Sequence, residues 1–180
     1  GLKLEGALDR FGIDPAGLVC LDVGASTGGF TDCLLRRGAR LVYAVDVGRD
    51  QLHPDLRRDG RVVNMEGTDI RAVMELPEMP ALVSIDVSFI SLTMVLPAAV
   101  RLLAPDGRIV TLIKPQFEVG PGHVGKKGIV KDPKQHRAAV EKVLEAARVL
   151  GLRAGEVIES PVLGTEGNKE FLTVFWTQGL

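Results

Sequence analysis

Residues 18–48, "LVCLDVGASTGGFTDCLLRRGARLVYAVDVG", decide how the chain is to be read. An apolar, β-branched run (18–23) breaks into a glycine-rich turn, a helix-period stretch follows (28–37), and a second apolar run (41–46) ends in Asp46. Neither run alternates polar with apolar residues, so both read as strands buried on two faces, as in a parallel sheet. Strand, turn, helix and strand in that order form a right-handed crossover unit. The turn then lies at the carboxyl end of the first strand, beside a helix N-terminus, where open α/β sheets bind nucleotide-like ligands.

The same rhythm continues outward. Short runs at 61–64, 82–87, 108–113, 153–159 and 171–177 read as further strands, with helices at 69–76, 91–103 and 133–150. Pro97 must kink the third of the four helices or mark its true start. The last is opened by Asp132 as cap and Pro133 in its first turn. Between the fifth strand and that helix, 114–132 (KPQFEVGPGHVGKKGIVKD) breaks the rhythm, and a loop of such length usually has a function. One α/β domain over 1–180 is expected, since 180 residues bury one sizeable core and no linker or repeat is visible.

Bulk properties exclude several classes. A net charge of -1 gives no global attraction to nucleic acid or anionic lipid, so polyanion contact must be local. The longest uncharged run, 87–100, falls short of the ~20 apolar residues of a membrane span. Cys20 and Cys33 lie within predicted elements and form neither a disulfide framework nor a metal-ligand spacing, consistent with a reduced, cytoplasmic setting. His53, His123 and His136 share no spacing with further ligands, and no metal site is expected. The opening "GLKLEGAL" lacks an initiator Met and is consistent with a piece of a longer protein.

The turn itself narrows the ligand. Gly24, Gly28 and Gly29 are spaced G-x-x-x-G-G, which fits the dinucleotide fingerprint G-x-G-x-x-G poorly and disfavours a nicotinamide dehydrogenase. Asp46 follows Gly24 by 22 residues, close to the ~20-residue offset at which an acid meets a ribose diol. Asp69, after the third strand, is a candidate for contacting a base. No G-x-S-x-G elbow is present, which leaves a hydrolase triad unsupported.

Together "LDVGASTGGF", "YAVDVG", "SIDVSFISL", "IKPQFEVG" and "GTEGNKEFL" resemble the TlyA branch of the FtsJ-like methyltransferases, a group also called the haemolysin A family. The likeness runs from "GLKLEGAL" through the last strand. It implies a Rossmann-like class I methyltransferase fold, with a seven-stranded, mostly parallel sheet, an antiparallel last strand and helices on both faces. It also implies S-adenosyl-L-methionine as methyl donor and ribosomal RNA, or a ribosomal subunit, as partner. The family's donor-binding motif falls on Asp22, Gly24, Ser26, Thr27, Gly28, Gly29 and Phe30, with Asp46 at the ribose. Its Lys-Asp-Lys-Glu tetrad falls on Lys3, Asp86, Lys114 and Glu170. Family members carry an N-terminal RNA-binding domain of ribosomal-protein type, to which nothing in these 180 residues corresponds.

The expected chemistry is methyl transfer to a ribose 2'-hydroxyl. In this reading Lys114 orients the oxygen and accepts its proton or stabilises its charge, Asp86 and Glu170 align it, and Lys3 closes the site. Neighbouring acids favour a charged lysine and burial or a second lysine a neutral one, and the sequence leaves both open. Residues 114–137 hold six Lys or Arg against two acids, net +4, so they suit RNA phosphates. Arg36, Arg37 and Arg40 read as helix C-terminal charge. Competing readings are a pore-forming or membrane-active haemolysin, which lacks a spanning or membrane-binding helix in the sequence, and a non-catalytic RNA-binding protein.

Overall fold

The computed structural model describes residues 1–177. Five parallel-type strands come first: β1 (Val19–Val23), β2 (Leu41–Val45), β3 (Val62–Met65), β4 (Leu82–Ile85) and β5 (Arg108–Ile113). Three more follow, β6 (Leu152–Ala154), β7 (Ile158–Glu159) and β8 (Phe171–Thr177), in one sheet of order β3-β2-β1-β4-β5-β8-β6, with β7 also on β8. The pairs among β1 to β5 are parallel, and β8 runs antiparallel to β5, β6 and β7. The expected single strand over 153–159 is broken in two. Ala154 pairs with Phe175 but Ile158 with Leu172, so Gly155, Glu156 and Val157 face only Thr173 and Val174. This is a β-bulge, in which the Thr173 hydroxyl donates to the Glu156 carbonyl at 3.0 Å.

Alternate strand residues feed two apolar layers. Val19, Leu21 and Val23 of β1, with Ile109 and Ile113 of β5, face α4 (Leu92–Leu102) and α5 (Pro133–Val149). Cys20, Val110 and Leu112 face the opposite layer, made by α1 (Leu2–Phe11), α2 (Gly29–Arg36) and the single turn α3 (Pro54–Arg57). Both faces of the central strands are thus covered, which explains their unbroken apolar runs.

Four expectations need correction or sharpening. Helix α1 was not foreseen, although Leu4, Ala7 and Leu8 sit at helical spacing and are buried. The expected helix over 69–76 is only a 3-10 turn, Ile70–Ala72: Val73 is extended, and Pro77 lies four residues on. Helix α4 continues through Pro97, whose ring lies on the exposed face, where water can hydrate the carbonyl one turn earlier. The 114–132 segment contains three 3-10 turns, Pro115–Phe117, Pro121–His123 and Lys126–Gly128. Its anchor is Glu118, a buried acid that accepts from Ser91 Oγ (2.5 Å) and Leu92 N (2.9 Å) at the start of α4 and pairs with Lys142 of α5.

After β3 the chain crosses to the other side of β1 to form β4, so β1 and β4 flank the point where the winding reverses. Ligands of open α/β sheets bind beyond the carboxyl ends of such a strand pair.

Candidate active site

Two clefts open there. The larger, ≈ 550 Å³, runs between the tips of β1, β2 and β4, with walls of Val23, Val47, Ile70, Val87 and Ile90 and polar points at Asp46, Thr68 and Asp69. The smaller, ≈ 390 Å³, lies between the β1 turn and the start of α1, bordered by Lys3, Thr27, Gly29, Phe30 and Val162. Gly24, Ser26 and Asp86 line both.

Gly24 is what allows the two strand tips to meet. Its φ is +84°, and a Cβ there would stand 2.0 Å from the Asp86 carbonyl oxygen. Gly28, at φ +105°, begins α2 and lines neither cleft; a Cβ there would run into Leu56 and Leu52. Ser26 holds a left-handed φ of 52°, a strain that the turn imposes on a non-glycine residue. Its N–H donates to Asp46 Oδ1 at 3.2 Å, and Gly48 N–H donates to Oδ2 at 2.8 Å. A carboxylate has about four acceptor positions, so Asp46 keeps two for neighbouring hydroxyls. Asp69 also borders the larger cleft, but its carboxylate is engaged by Arg71 at 2.7 and 3.1 Å, which holds its pKa below the usual range.

Asp22, expected at the donor, is 0% exposed and lies beneath the turn. It faces the α2 layer, where Thr31 Oγ1 (2.7 Å) and Ser84 Oγ (3.3 Å) donate to its carboxylate, tying β1, α2 and β4 together. Burial drives its pKa up to about 7, against the pull of the Thr31 bond, with the charge of Asp86 adding to the rise. Asp22 therefore supports the turn from below, fully buried and lining neither cleft. Cys20, pushed up to about 12 by burial, is likewise a core group.

The four tetrad positions form two ion pairs. Lys114, just past β5, sits with its Nζ 2.5 Å from Asp86 Oδ1, just past β4, and donates to Ser88 Oγ at 3.1 Å. Lys3, in the first turn of α1, lies 2.7 Å from Oε1 of Glu170, which is only 2% exposed and immediately precedes β8. Asp86 and Lys3 both face the smaller cleft, so each pair has a member there.

Sequence reasoning missed three neighbours. Ser88 holds Lys114, Gln116 donates to Glu170 Oε2 at 3.5 Å, and Phe89 projects 90% exposed from a left-handed backbone (φ 62°). Phe89 borders the larger cleft and packs on Phe117, ring centroids 5.0 Å apart. An exposed phenylalanine in that conformation is strained as well as poorly solvated, but no spacing rule marks it in the sequence. His136, by contrast, is structural: its ring meets the Val130 carbonyl at 2.7 Å.

The strand order, the glycine turn at the winding reversal and an acid at the second strand tip define a class I methyltransferase fold with a cleft at its topological switch point. Residues 1–177 match the FtsJ-like methyltransferase family, and the chain belongs to it. It is 49% identical over 180 residues to TlyA of Mycobacterium tuberculosis, named a 16S/23S rRNA (cytidine-2'-O)-methyltransferase, with 98% of this chain and 66% of that protein covered. A crystal structure of a protein from Lactococcus lactis, provisionally called a hemolysin, superposes with a TM-score of 0.96 at 47% identity, covering 99% of this chain and 86% of that one. At the level of fold alone, an S-adenosylmethionine dependent methyltransferase from Mesorhizobium loti superposes at 0.71 with 16% identity, covering 97% and 98%. The chain spans about two thirds of the length of the curated relatives it matches.

Proposed function

We propose that the chain transfers a methyl group from S-adenosyl-L-methionine to a ribose 2'-hydroxyl of ribosomal RNA, presented free or in a ribosomal subunit in the cytoplasm. The observation that carries this reading is Asp86, which lines both clefts where they share a wall and is paired there with Lys114. The larger cleft suits an adenosine: apolar side walls for a purine, and Asp46 with free acceptor positions for a diol. Gly24, Ser26, Thr27, Gly29 and Phe30 would hold the rest of the donor, with Asp22 and Gly28 supporting them. When bound, the donor supplies a methyl group on a sulfonium, an electrophile that needs an oxygen nucleophile aligned with it.

Lys114 Nζ donates to Ser88 and lies in ion-pair contact with Asp86 Oδ1, which accepts no aligned hydrogen bond, so the ammonium keeps donors with which to hold a substrate hydroxyl oxygen. The Asp86 carboxylate beside it receives the hydroxyl proton as the oxygen attacks. Lys3 borders the smaller cleft, held there by the buried Glu170, and limits where the ribose can lie; positioning of this kind is worth orders of magnitude in rate. Phe89, exposed at the rim, offers a face on which an unstacked base can lie.

RNA binding rests on the charged arm. Lys3, Lys114, Lys142 and Lys169 each pair with an acid, whereas Lys126, Lys127, Lys131 and Lys134 are exposed and pair with no described acid. Unneutralised cations beside an active edge attract phosphates. Among the described residues no helix is long and apolar enough to cross a membrane.

The decisive experiment incubates the chain with methyl-labelled donor and ribosomal subunits or total ribosomal RNA. Label in RNA that resists alkaline cleavage at the modified linkage is expected. Donor binding without transfer would instead favour a non-catalytic RNA-binding protein.

A further inference from the structure

The cationic arm and the Glu170 carboxylate are joined by one buried amide. Asn168 is 2% exposed. Its Oδ1 accepts from the Val130 N–H at 3.0 Å, and its Nδ2 donates to the Gly128 carbonyl at 2.9 Å and the Thr165 carbonyl at 3.0 Å. Two of those partners belong to the arm, directly between Lys127 and Lys131. The third belongs to the turn 164–168, which the Asn168 backbone also closes: its carbonyl accepts from Gly164 N–H at 2.8 Å, and its N–H donates to Thr165 at 3.2 Å.

That turn is in direct contact with Glu170. A Cβ on Gly164 would stand 1.9 Å from Glu170 Oε2, so the carboxylate lies directly against the Gly164 backbone. Glu170 in turn holds Lys3 at 2.7 Å. The other end of the arm segment is equally fixed: Gly125 N–H donates to Ile129, and His136 on α5 holds the Val130 carbonyl. A series of contacts centred on the buried Asn168 amide therefore runs from the arm backbone beside its lysines, through the 164–168 turn, to the Lys3–Glu170 pair.

We propose that Asn168 is a positioning residue through which a polyanion bound on the 126–131 arm sets the placement of Glu170 and Lys3. The proposal rests on the RNA methyltransferase reading for its purpose, but not for its geometry. An amide suits this task and few other groups do, because the site needs one acceptor and two donors within a single short side chain. A carboxylate in its place would keep the bond from Val130 and turn an anionic oxygen toward two carbonyls.

Amide hydrogen exchange on the unmodified chain tests the coupling directly, with polyuridylate as the probe. On addition of the RNA, exchange is expected to slow at the arm amides of 125–130 and also at those of 164–170. In Asn168→Ala the arm should still respond while 164–170 no longer does. In the methyl-transfer assay the same variant should lose kcat by about tenfold to a hundredfold with the RNA KM within about twofold, the pattern of a misplaced catalytic group. Asn168→Asp should lose at least as much kcat as the alanine variant. Protection confined to the arm in the unmodified chain, or a variant that raises KM and leaves kcat intact, overturns the coupling. Methyl transfer without transmitted protection removes this inference and leaves the proposed activity standing, and transmitted protection without methyl transfer does the reverse.

Discussion

Lys114 carries the most direct test at the level of single residues. Lys114→Ala removes the ammonium paired with Asp86 and bonded to Ser88 while leaving the larger cleft's walls untouched. Turnover is expected to fall by at least about a hundredfold with the donor Kd within about threefold, read by labelled-methyl transfer and by calorimetry. Gly24→Ala should fail differently. At φ +84° and 2.0 Å from the Asp86 carbonyl, the new methyl must push β1 and β4 apart, so a stability loss above about 2 kcal/mol and loss of donor binding are expected together in thermal melts and titrations.

Asp22 links this residue scale to pH. Its carboxyl titrates near 3.8 when unfolded and near 7 when folded, so between those values the folded state holds the extra proton. Stability contributed by this group therefore falls as pH rises from about 4 to about 7 and is level above. The advantage of Asp22→Asn over the unmodified chain should grow by about 2 to 3 kcal/mol between pH 5 and pH 8 in urea titrations, and a constant difference would refute the assignment. The neutral amide keeps an acceptor for Thr31, which limits other losses.

Among elements, the arm and its anchor make separable predictions. Replacing Lys126, Lys127 and Lys131 by alanine should raise the RNA KM and lower the slope of log affinity against log salt by roughly 2 to 3, because exposed cations act through released counterions, and should also lower kcat, because no polyanion then acts on Glu170 and Lys3 through the arm. Glu118→Ala should act on stability instead. It strips the start of α4 of a buried acceptor for Ser91 and Leu92 and leaves Lys142 only the backbone carbonyl of residue 118, a loss of about 2 to 4 kcal/mol measurable as a fall in Tm. Elements also mark the reach of sequence patterns. The strands 108–113 and 171–177 were legible to the residue, since long apolar runs in mid-sheet have one way to be buried. The strand 153–159 hid a bulge because its extra residue is specified by the register against β8, a partner distant in the chain.

For the molecule as a whole, the sequence determined the fold class and the neighbourhood of the site. Periodicity of apolar residues is a local property, and a glycine turn between a buried strand and a helix has one place in an open α/β sheet. It also identified the residue types that the clefts bring together. Tertiary structure alone decided which of them touch: that Asp22 is buried against Thr31 of the α2 layer, that the tetrad divides into Asp86–Lys114 and Lys3–Glu170, and that Asn168 clasps the arm to the turn beside Glu170. Side-chain pairing depends on strand order, pleat and register across as many as 167 positions of chain, and no local pattern encodes those.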